Sequence, residues 1–224
     1  GTESYTAPRL WNGTIDEAAI WNITLPPDKI AEHAGAKIID YSQYGNNGSR
    51  FSNASSDFGR NFTDGKFSKA LVFDGVNDYV NVNVTGMVTG TSILDFGTGP
   101  FSIESWFKCN NFVTSDIGLI DKLSTGNRYL IYWTANKITF HLQSGGTATE
   151  AAADSHYCDS AWHFVTTVRS GDNMYIYIDG SQKGSNSGVS ARDLSNNGSL
   201  YIGIRNAGAT GPFNGTIDEV SIWN

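Results

Sequence analysis

The 224-residue sequence predicts an all-β protein, a two-sheet antiparallel β-sandwich with one short helix. About a dozen short stretches rich in Val, Ile, Phe, Tyr and Trp run through it, separated by Gly, Asn, Asp and Ser turn residues. A single stretch carries helix signals, and strands and helices do not alternate as they do in a βαβ protein. The chain is long enough to bury a sizeable core, with 39% hydrophobic and 12% aromatic residues.

The predicted strands occupy most of the chain after residue 69. Turn signals mark several of their ends, at Asn136-Lys137, Ser144-Gly145-Gly146 and Asp179-Gly180. The stretch 40–65 is rich in Asn, Ser and Gly and is predicted to form loops. The strands are predicted at residues 70–73, 79–84, 102–109, 117–122, 129–134, 137–143, 163–169, 174–179 and 200–205.

A twelve-residue segment occurs twice. Trp11–Asn22 recurs as Phe213–Asn224 at an offset of 202, with nine of the twelve positions identical. Both copies have the β-favouring, partly alternating pattern of a strand. An offset of one domain length indicates a slice from tandem domains, in which the first copy would be the last strand of a preceding module.

The helix candidate follows the first copy of this segment. Leu25–His33 has Pro26 and Pro27 at its entry and Gly35 after it. We therefore divide the chain into residues 1–35, a terminal strand and short helix that belong to or are exchanged with an adjacent module, and residues 36–224, the sandwich domain.

Composition and charge exclude several classes of protein. The net charge is -7 and the 15 basic residues are scattered, so the sequence has no electrostatic footprint for nucleic acid. No apolar run reaches the ~18–20 residues of a membrane-spanning helix. The chain starts at Gly1 without Met or an apolar signal segment, which we interpret as a cleaved product or a slice of something longer.

Sequons for N-glycosylation are about twice as frequent as chance predicts. They indicate a secreted, cell-surface protein that is glycosylated on exposed loops. The alternative is that Asn, Gly, Ser and Thr cluster because all of them form turns and strand edges. The eight sequons start at Asn12, Asn22, Asn47, Asn53, Asn61, Asn83, Asn197 and Asn214.

Several motifs occur in the order and spacing of a known family. They are Tyr41–Gly48, Asp64–Val80, Phe101–Phe107, Trp162–Val165, Met174–Gly180 and Asn214–Glu219. With them, the chain resembles the laminin-G-like modules of the concanavalin A-like lectin/glucanase superfamily, which share a jelly-roll fold with the pentraxins. The resemblance implies two curved antiparallel sheets. It does not fix the function, because this fold carries lectins, adhesion modules, glucanases and structural repeats.

The resemblance also suggests where to look for catalysis and for a metal. Glucanases of the superfamily use a close carboxylate cluster such as Glu-x-Asp-x-x-Glu, which this chain lacks, so we predict no enzyme activity. Many relatives bind one structural Ca²⁺, and the family pattern assigns its oxygen ligands to Asp74, Gly75 and Asp218, with Asn77 and Asp78 in reserve. The alternative is that these side chains make turn and backbone hydrogen bonds only.

The two cysteines, Cys109 and Cys158, lie on or beside predicted strands. Pentraxins carry a disulfide between similar strands, so the resemblance implies that these two are bonded in an oxidising compartment. Two buried free thiols in a reducing compartment are the alternative.

Aromatic residues leave two functions open. Tyr132, Trp133 and His141 lie on predicted strands that would line one sheet, where they would form a sugar-binding surface or pack in the core. Our main hypothesis is a non-catalytic, tandemly repeated structural or adhesive module of a large cell-surface, sheath or filament protein. In it, adjacent copies assemble head-to-tail by sharing the repeated strand. The alternative hypothesis is a carbohydrate-binding module, lectin-like and perhaps attached to a polysaccharide-degrading enzyme, with cell-surface polysaccharide as the partner.

Overall fold

A computed structural model describes the sandwich domain in detail. The described residues are 24, 37–40, 46–51, 62–67, 69–82, 94–110, 116–124, 126–206 and 210–224. The first copy of the repeated segment and the predicted helix lie outside them, as does the proposed division of the chain near residue 35. So do five of the sequons, at Asn12, Asn22, Asn53, Asn61 and Asn83.

The described residues form β-strands joined by turns, with no α-helix among them. The strands are β1 Lys37–Ile38, β2 Gly48–Phe51, β3 Phe62–Asp64, β4 Lys69–Asp74, β5 Tyr79–Val82, β6 Phe101–Cys109, β7 Ile117–Ser124, β8 Asn127–Thr134, β9 Lys137–Ser144, β10 Thr147–Ala152, β11 Trp162–Ser170, β12 Asn173–Ile178, β13 Ser181–Ser187, β14 Leu200–Ile202 and β15 Asn214–Trp223.

Two antiparallel sheets pack face to face. The eight-stranded sheet has the order β1-β2-β5-β14-β7-β8-β9-β10, and the seven-stranded sheet has the order β13-β12-β11-β6-β15-β4-β3. This architecture confirms the predicted two-sheet sandwich. Sequence-distant strands meet at the centre of each sheet, so residues from both halves of the chain contribute to every surface.

Alternation along the strands decides what enters the core. In β6, Ile103 and Phe107 are fully buried between the sheets, while Glu104 and Trp106 lie half-buried on the opposite side. The core reaches from Phe73 in β4 to Phe213 just before β15, and these two rings pack edge to face at 6.1 Å.

The predicted disulfide is present. Cys109 ends β6 and is bonded to Cys158 in the loop before β11, 49 residues later in the chain. Cys109 is fully buried in the core, and Cys158 is partly buried and packs against the core. The bond therefore ties the β10–β11 connection to a central strand of the seven-stranded sheet.

In the part of the chain that the structure describes, no helix is both long and apolar enough to span a membrane.

Candidate functional site

The side of the eight-stranded sheet that faces away from its partner sheet, here called the outer face, carries the candidate site. In β8, Tyr129, Ile131 and Trp133 point into the core, so Tyr132 lies on the outer face. The same alternation holds in β9, where Phe140 and Leu142 are in the core. His141 therefore lies on the outer face, and the register places Glu150 of β10 directly opposite it.

One end of the outer face carries a row of three aromatic rings on adjacent strands. Phe51 of β2 stacks on Tyr79 of β5, with ring centroids 4.8 Å apart and planes inclined by 10°. Tyr79 in turn lies 5.8 Å from Tyr201 of β14. Phe51 is 44% exposed, a large value for an aromatic residue within a sheet. Partial burial, followed by the nearby Tyr201, raises the pKa of Tyr79.

The other end of the outer face carries a polar cluster around Glu150. Its Oε1 atom accepts a hydrogen bond of 2.7 Å from the Tyr132 hydroxyl and one of 2.8 Å from His141 Nδ1. The other ring nitrogen of His141 lies 3.3 Å from Gln143 Oε1. Burial, and then the hydrogen bond to Glu150, raises the pKa of Tyr132 well above its usual value. Tyr132 and His141 are only 6% and 9% exposed, whereas the Glu150 side chain is 42% exposed. The cluster is therefore a fixed arrangement of hydrogen-bonding groups that meets the solvent at Glu150.

Two arginines on the outer face have carboxylate partners. Arg205 lies over the Tyr132 ring, 4.6 Å from its centroid, and pairs with Asp116 at 2.6 Å. Partial burial raises the pKa of Asp116, but hydrogen bonds from Arg205 and Thr134 outweigh it, so this pKa lies below its usual value.

The second arginine of the outer face is more deeply buried. Arg128 makes two hydrogen bonds of 2.7 Å to the fully buried Asp121, which also accepts the Asn206 backbone N–H at 2.8 Å. Both arginines are thus locked in place by acid partners, and they shape the surface without adding unpaired charge.

The structure separates the three residues that sequence reasoning grouped as a sugar-binding surface. Tyr132 and His141 lie together in the polar cluster, and their rings meet edge to face at 5.9 Å. Trp133 does not join them, because it is fully buried and its ring stacks on Phe213 at 5.5 Å. Its Nε1 atom donates to the His156 carbonyl at 2.6 Å. Of the two alternatives left open for Trp133, the structure favours the core, because alternation along β8 turns it inward.

Sequence reasoning missed the aromatic row. Tyr79 and Tyr201 each alternate with buried aliphatic residues, Val80 and Ile202, so strand periodicity alone would have placed both rings outside. Phe51 had no such signal, because the stretch 40–65 was predicted to form loops. That β2, β5 and β14 are neighbours follows from the topology of the sheet, which the sequence does not show.

The family model for the concanavalin A-like lectin/glucanases superfamily matches residues 73–224, more than half of the chain. The chain belongs to this superfamily. No curated protein sequence is similar to the chain.

Solved structures share the fold of this concanavalin A-like module. Domain 4 of AbnA, a GH43 extracellular arabinanase from Geobacillus stearothermophilus in complex with arabinotriose, matches with a TM-score of 0.62, 19% identity and coverage of 84% of this chain and 91% of that one. The receptor binding domain of botulinum neurotoxin D matches with a TM-score of 0.61 and 15% identity, covering 83% of this chain but only 46% of that one. Domains LG4-5 of the mouse laminin alpha1 chain match with a TM-score of 0.53 and 16% identity, covering 68% of this chain and 40% of that one.

The residues predicted to bind calcium lie in two separate places in the module. Asp74 Oδ1 accepts the backbone N–H groups of Val76 and Asn77 at 2.8 and 3.4 Å, and Asp78 Oδ2 accepts the Asp74 N–H at 3.0 Å. Gly75 supplies the positive φ of this turn. These are the Asx-turn hydrogen bonds that formed the alternative interpretation.

Asp218 lies farther along the strand pair. The register places Asp74 opposite Asn214, and Asp218 is four residues beyond it, about 13 Å away at the usual strand rise. Both Asp218 oxygens accept backbone N–H groups, from Phe67 and from Glu219, each at 3.0 Å. Among the described residues, no three His, Cys, Asp or Glu side chains are grouped as metal ligands. The set Asp74, Gly75 and Asp218 therefore does not fit one shared Ca²⁺, and calcium binding at either place stays a prediction.

Three sequons lie in the described part of the chain, and glycosylation at them stays a prediction. Asn197 is exposed in the connection before β14, with its Oδ1 accepting from the Ser124 hydroxyl at 3.0 Å. Asn47 and Asn214 are half-buried. The Asn214 amide donates to the Asp74 carbonyl at 3.3 Å, and the Asn47 side chain accepts the Asp40 N–H at 3.0 Å. By exposure, Asn197 is the best acceptor of the three.

Proposed function

We propose that this module is a secreted, non-catalytic carbohydrate-binding domain that holds a sugar chain on the outer face of its eight-stranded sheet. The observation that carries the proposal is the aromatic row Phe51, Tyr79 and Tyr201 at one end of this face, together with the polar cluster of Tyr132, His141 and Glu150 at the other end. The similar domain of the arabinanase was solved with arabinotriose, which supports a saccharide as the ligand class.

The two ends of the outer face match the two kinds of surface on a sugar ring. A pyranose or furanose presents apolar C–H groups on its faces and hydroxyl groups around its rim. The aromatic row offers apolar contact at low entropic cost, since an aromatic side chain has only two rotatable bonds. Glu150 and Gln143 offer acceptors, and the arginines offer donors held in fixed positions.

The carboxylates of the outer face support a binding role without catalysis. A glycosidase needs two carboxyl groups about 5–9.5 Å apart, one to protonate and one to attack or to activate water. Asp121 is fully buried in its bidentate pair with Arg128, and Glu150 Oε1 is held by two donors. Asp116 pairs with Arg205 at 2.6 Å, so each of these three carboxylates has a fixed partner. The disulfide, a bond of oxidising compartments, supports secretion.

The proposal is tested by screening the full chain on a glycan array that includes arabinan oligosaccharides, followed by calorimetric titration of each hit. Tyr79→Ala and Phe51→Ala should each weaken binding at least tenfold while leaving the fold intact. Matched controls remove exposed aromatic rings from the opposite face of the sandwich: Phe67→Ala and Trp223→Ala, which are 55% and 61% exposed in the native chain. Their affinity should equal that of the wild type. Binding lost in the controls but kept in the outer-face variants would reject this face, and release of reducing ends from a bound glycan would reject a non-catalytic role.

We propose a second function, a structural or adhesive module of a repeated cell-surface, sheath or filament protein, whose partners are adjacent copies. The duplicated segment supports it, because a single sandwich has room for one terminal strand of that sequence. Light scattering of the full chain over a wide concentration range tests this function separately. A mass that rises with concentration, together with a blank array, would favour it over carbohydrate binding.

A further inference from the structure

A buried lysine and a buried asparagine lie in contact in the interior of the module. Lys122 in β7 has no exposed surface, and Asn196, in the connection before β14, is 6% exposed. The Lys122 Nζ atom lies 2.9 Å from Asn196 Oδ1 and 2.5 Å from the Asn196 backbone carbonyl, although the two residues are 74 positions apart. A carbonyl bond is about 1.23 Å long, so the amide carbon Cγ is at most about 4.1 Å from this nitrogen. An amine and a carboxamide are therefore held close to reacting distance, away from bulk solvent.

The surroundings of Lys122 favour its neutral, nucleophilic form. Tyr129 is paired opposite it in β8, is fully buried, and has its ring centroid 5.3 Å from that of Phe96. Burial penalises an ammonium ion, and Asp95 at 4.0 Å offsets this only in part, so the pKa of Lys122 falls to about 8. A neutral amine has the free electron pair that attack on a carbonyl carbon requires.

Three contacts hold the Asn196 amide as an acyl-transfer step needs it. The Gly198 backbone N–H donates to Oδ1 at 3.1 Å, where it would stabilise negative charge on that oxygen. The Nδ2 atom donates to the Leu194 carbonyl at 3.0 Å, which fixes the plane of the amide. Asp95 Oδ1 accepts the Asn196 backbone N–H at 2.7 Å, so a carboxylate stays next to both reacting groups.

Gly198 lets this connection approach β7 closely. A Cβ atom at this position would collide with the backbone carbonyl of Leu123, the residue after Lys122. The same Cβ atom would come within 3.2 Å of Asn196 Oδ1. A glycine here therefore keeps the asparagine amide against the lysine.

We propose that Lys122 and Asn196 form an intramolecular isopeptide bond between Nζ and Cγ, with Asp95 as the proton carrier. The neutral amine attacks Cγ, and the electron pair of the C=O double bond moves to Oδ1. Asp95 takes the proton that Nζ loses and passes it to Nδ2. The C=O double bond then re-forms, the Cγ–Nδ2 bond breaks, and ammonia leaves. One amide replaces another, so the step balances without an oxidant, a reductant or a co-reactant. The hydrogen-bonded arrangement described above is that of the unlinked chain.

The bond would add a second covalent crosslink to the module. It joins β7 to the connection before β14 across 74 residues, a larger loop than the 49 residues between the two cysteines. By the loop-entropy argument, a crosslink across a longer loop restricts the unfolded chain more. An amide also withstands reducing conditions that open a disulfide. The inference depends on neither function proposed above, because neither the sugar surface nor a second copy takes part in the reaction.

The intact mass of the reduced full chain tests the bond. Chains incubated at about pH 9 should lose about 17 Da, the mass of ammonia. Chains held at about pH 6 should react about a hundredfold more slowly, because an amine of pKa about 8 is almost entirely protonated there. Trypsin should no longer cleave after Lys122, and the digest should contain a branched peptide that joins Lys122 to Asn196. The linked chain should melt about 10 °C above the unlinked one.

Four variants separate this reaction from others that release ammonia. Lys122→Met and Asn196→Ala should keep their full mass, because each lacks one reactant. Asp95→Asn keeps both reactants and should link at least tenfold more slowly, because it lacks the proton carrier. Asn197→Ala is the matched control. Asn197 precedes Gly198, and cyclisation of such an Asn-Gly pair to a succinimide gives the same loss of mass. The Asn197→Ala chain should therefore lose ammonia as the wild type does.

Three results would overturn the inference. The first is a folded wild type that keeps its full mass after days at the alkaline pH. The second is a loss of ammonia that persists in Lys122→Met or disappears in Asn197→Ala, which would place the reaction at Asn197. The third is tryptic cleavage after Lys122 in wild-type chains that have lost ammonia, since a linked lysine is not a trypsin site. This last measurement uses the wild type alone, so it decides the question even if a variant fails to fold.

Discussion

Asp218 Oδ2 accepts a hydrogen bond of 3.0 Å from the backbone N–H of Phe67, a residue 151 positions earlier in the chain. This bond holds the β3–β4 turn over the exposed side of the seven-stranded sheet. In that position, Lys66 Nζ lies 4.4 Å from the centroid of the Trp106 ring, and the Phe67 ring meets Trp106 edge to face at 6.0 Å. One carboxylate in an interior strand thus positions a whole turn.

We predict that Asp218→Asn destabilises the domain by about 1–3 kcal/mol. Asp218 is 6% exposed and its two oxygens accept separate backbone N–H groups, so an amide in its place sets an N–H donor against one of them. Urea denaturation measures the loss. Asp16→Asn, which makes the same change in the first copy of the segment, is the control and should not alter stability.

The wild type and Asp218→Asn also test whether Asp218 binds calcium. If Asp218 acts only through backbone hydrogen bonds, the difference between wild type and Asp218→Asn is the same in calcium and in EDTA. If it is a metal ligand, chelation lowers the wild-type melting temperature, because an ion that binds only the folded state stabilises it by mass action. The difference between the two proteins would then shrink in EDTA.

A second prediction separates the core from the binding face. Trp133→Ala should cost about 3–5 kcal/mol, because it removes a fully buried ring from the core. Phe51→Ala should cost only about 1 kcal/mol, the value of one stacked aromatic pair at the surface. For carbohydrate binding we expect the opposite order, with Phe51→Ala the weaker binder and any folded Trp133→Ala protein close to wild type. Denaturation of the two variants measures their loss of stability, and titration with the glycan measures their loss of affinity.

Hydrophobic patterning and turn chemistry are enough to predict the interior strands of this module. β6 carries buried apolar residues at every second position, whereas β8 and β9 are almost continuous runs of buried residues. The hairpin turn Ala135–Asn136, with both residues at positive φ, separates β8 from β9. The polar strands β2, β10 and β13 were not predicted. They bury few side chains, and pairing with a neighbouring strand, which sequence does not show, is what makes them strands.

The candidate site is harder to predict because it is assembled across strands. Tyr132 and His141 are close in sequence and were recognised, but Trp133, one residue away, faces the other side of the same sheet. Phe51, Tyr79 and Tyr201 come from three distant parts of the chain, and the strand order alone makes them neighbours. Two things therefore determine which aromatic rings form a surface. One is the side of the sheet that each residue faces, which changes with every position along a strand, and the other is the strand order, which the sequence does not show.

A third prediction concerns the disulfide. Cys109→Ala/Cys158→Ala should lose about 4 kcal/mol of stability, since the bond closes a loop of 49 residues in the unfolded chain. Native protein should show no free thiols by mass spectrometry without reduction. Dithiothreitol should lower the denaturation midpoint of the wild type and leave the alanine variant unchanged. Alkylation of both cysteines in unreduced native protein would contradict the prediction.

The last prediction follows from a fully buried lysine. Lys122 Nζ donates to the Asn196 carbonyl at 2.5 Å and to its Oδ1 at 2.9 Å, and the nearest carboxylate oxygen, on Asp95, lies 4.0 Å away. Burial, only partly offset by Asp95, lowers the pKa of Lys122 to about 8. Between this pKa and the ordinary lysine value, the unfolded chain binds more protons than the folded one, so stability must rise with pH. Relative to Lys122→Met, the wild type should gain about 2 kcal/mol between pH 8 and pH 10, and below pH 7 the difference should be constant. Urea denaturation of both proteins across this range measures it, with Lys137→Met, which removes an exposed lysine in the same way, as the matched substitution control. The wild-type chains used are those whose intact mass shows Lys122 to be unlinked. A difference between the wild type and Lys122→Met that does not change with pH would show that this ammonium group titrates as it does in water.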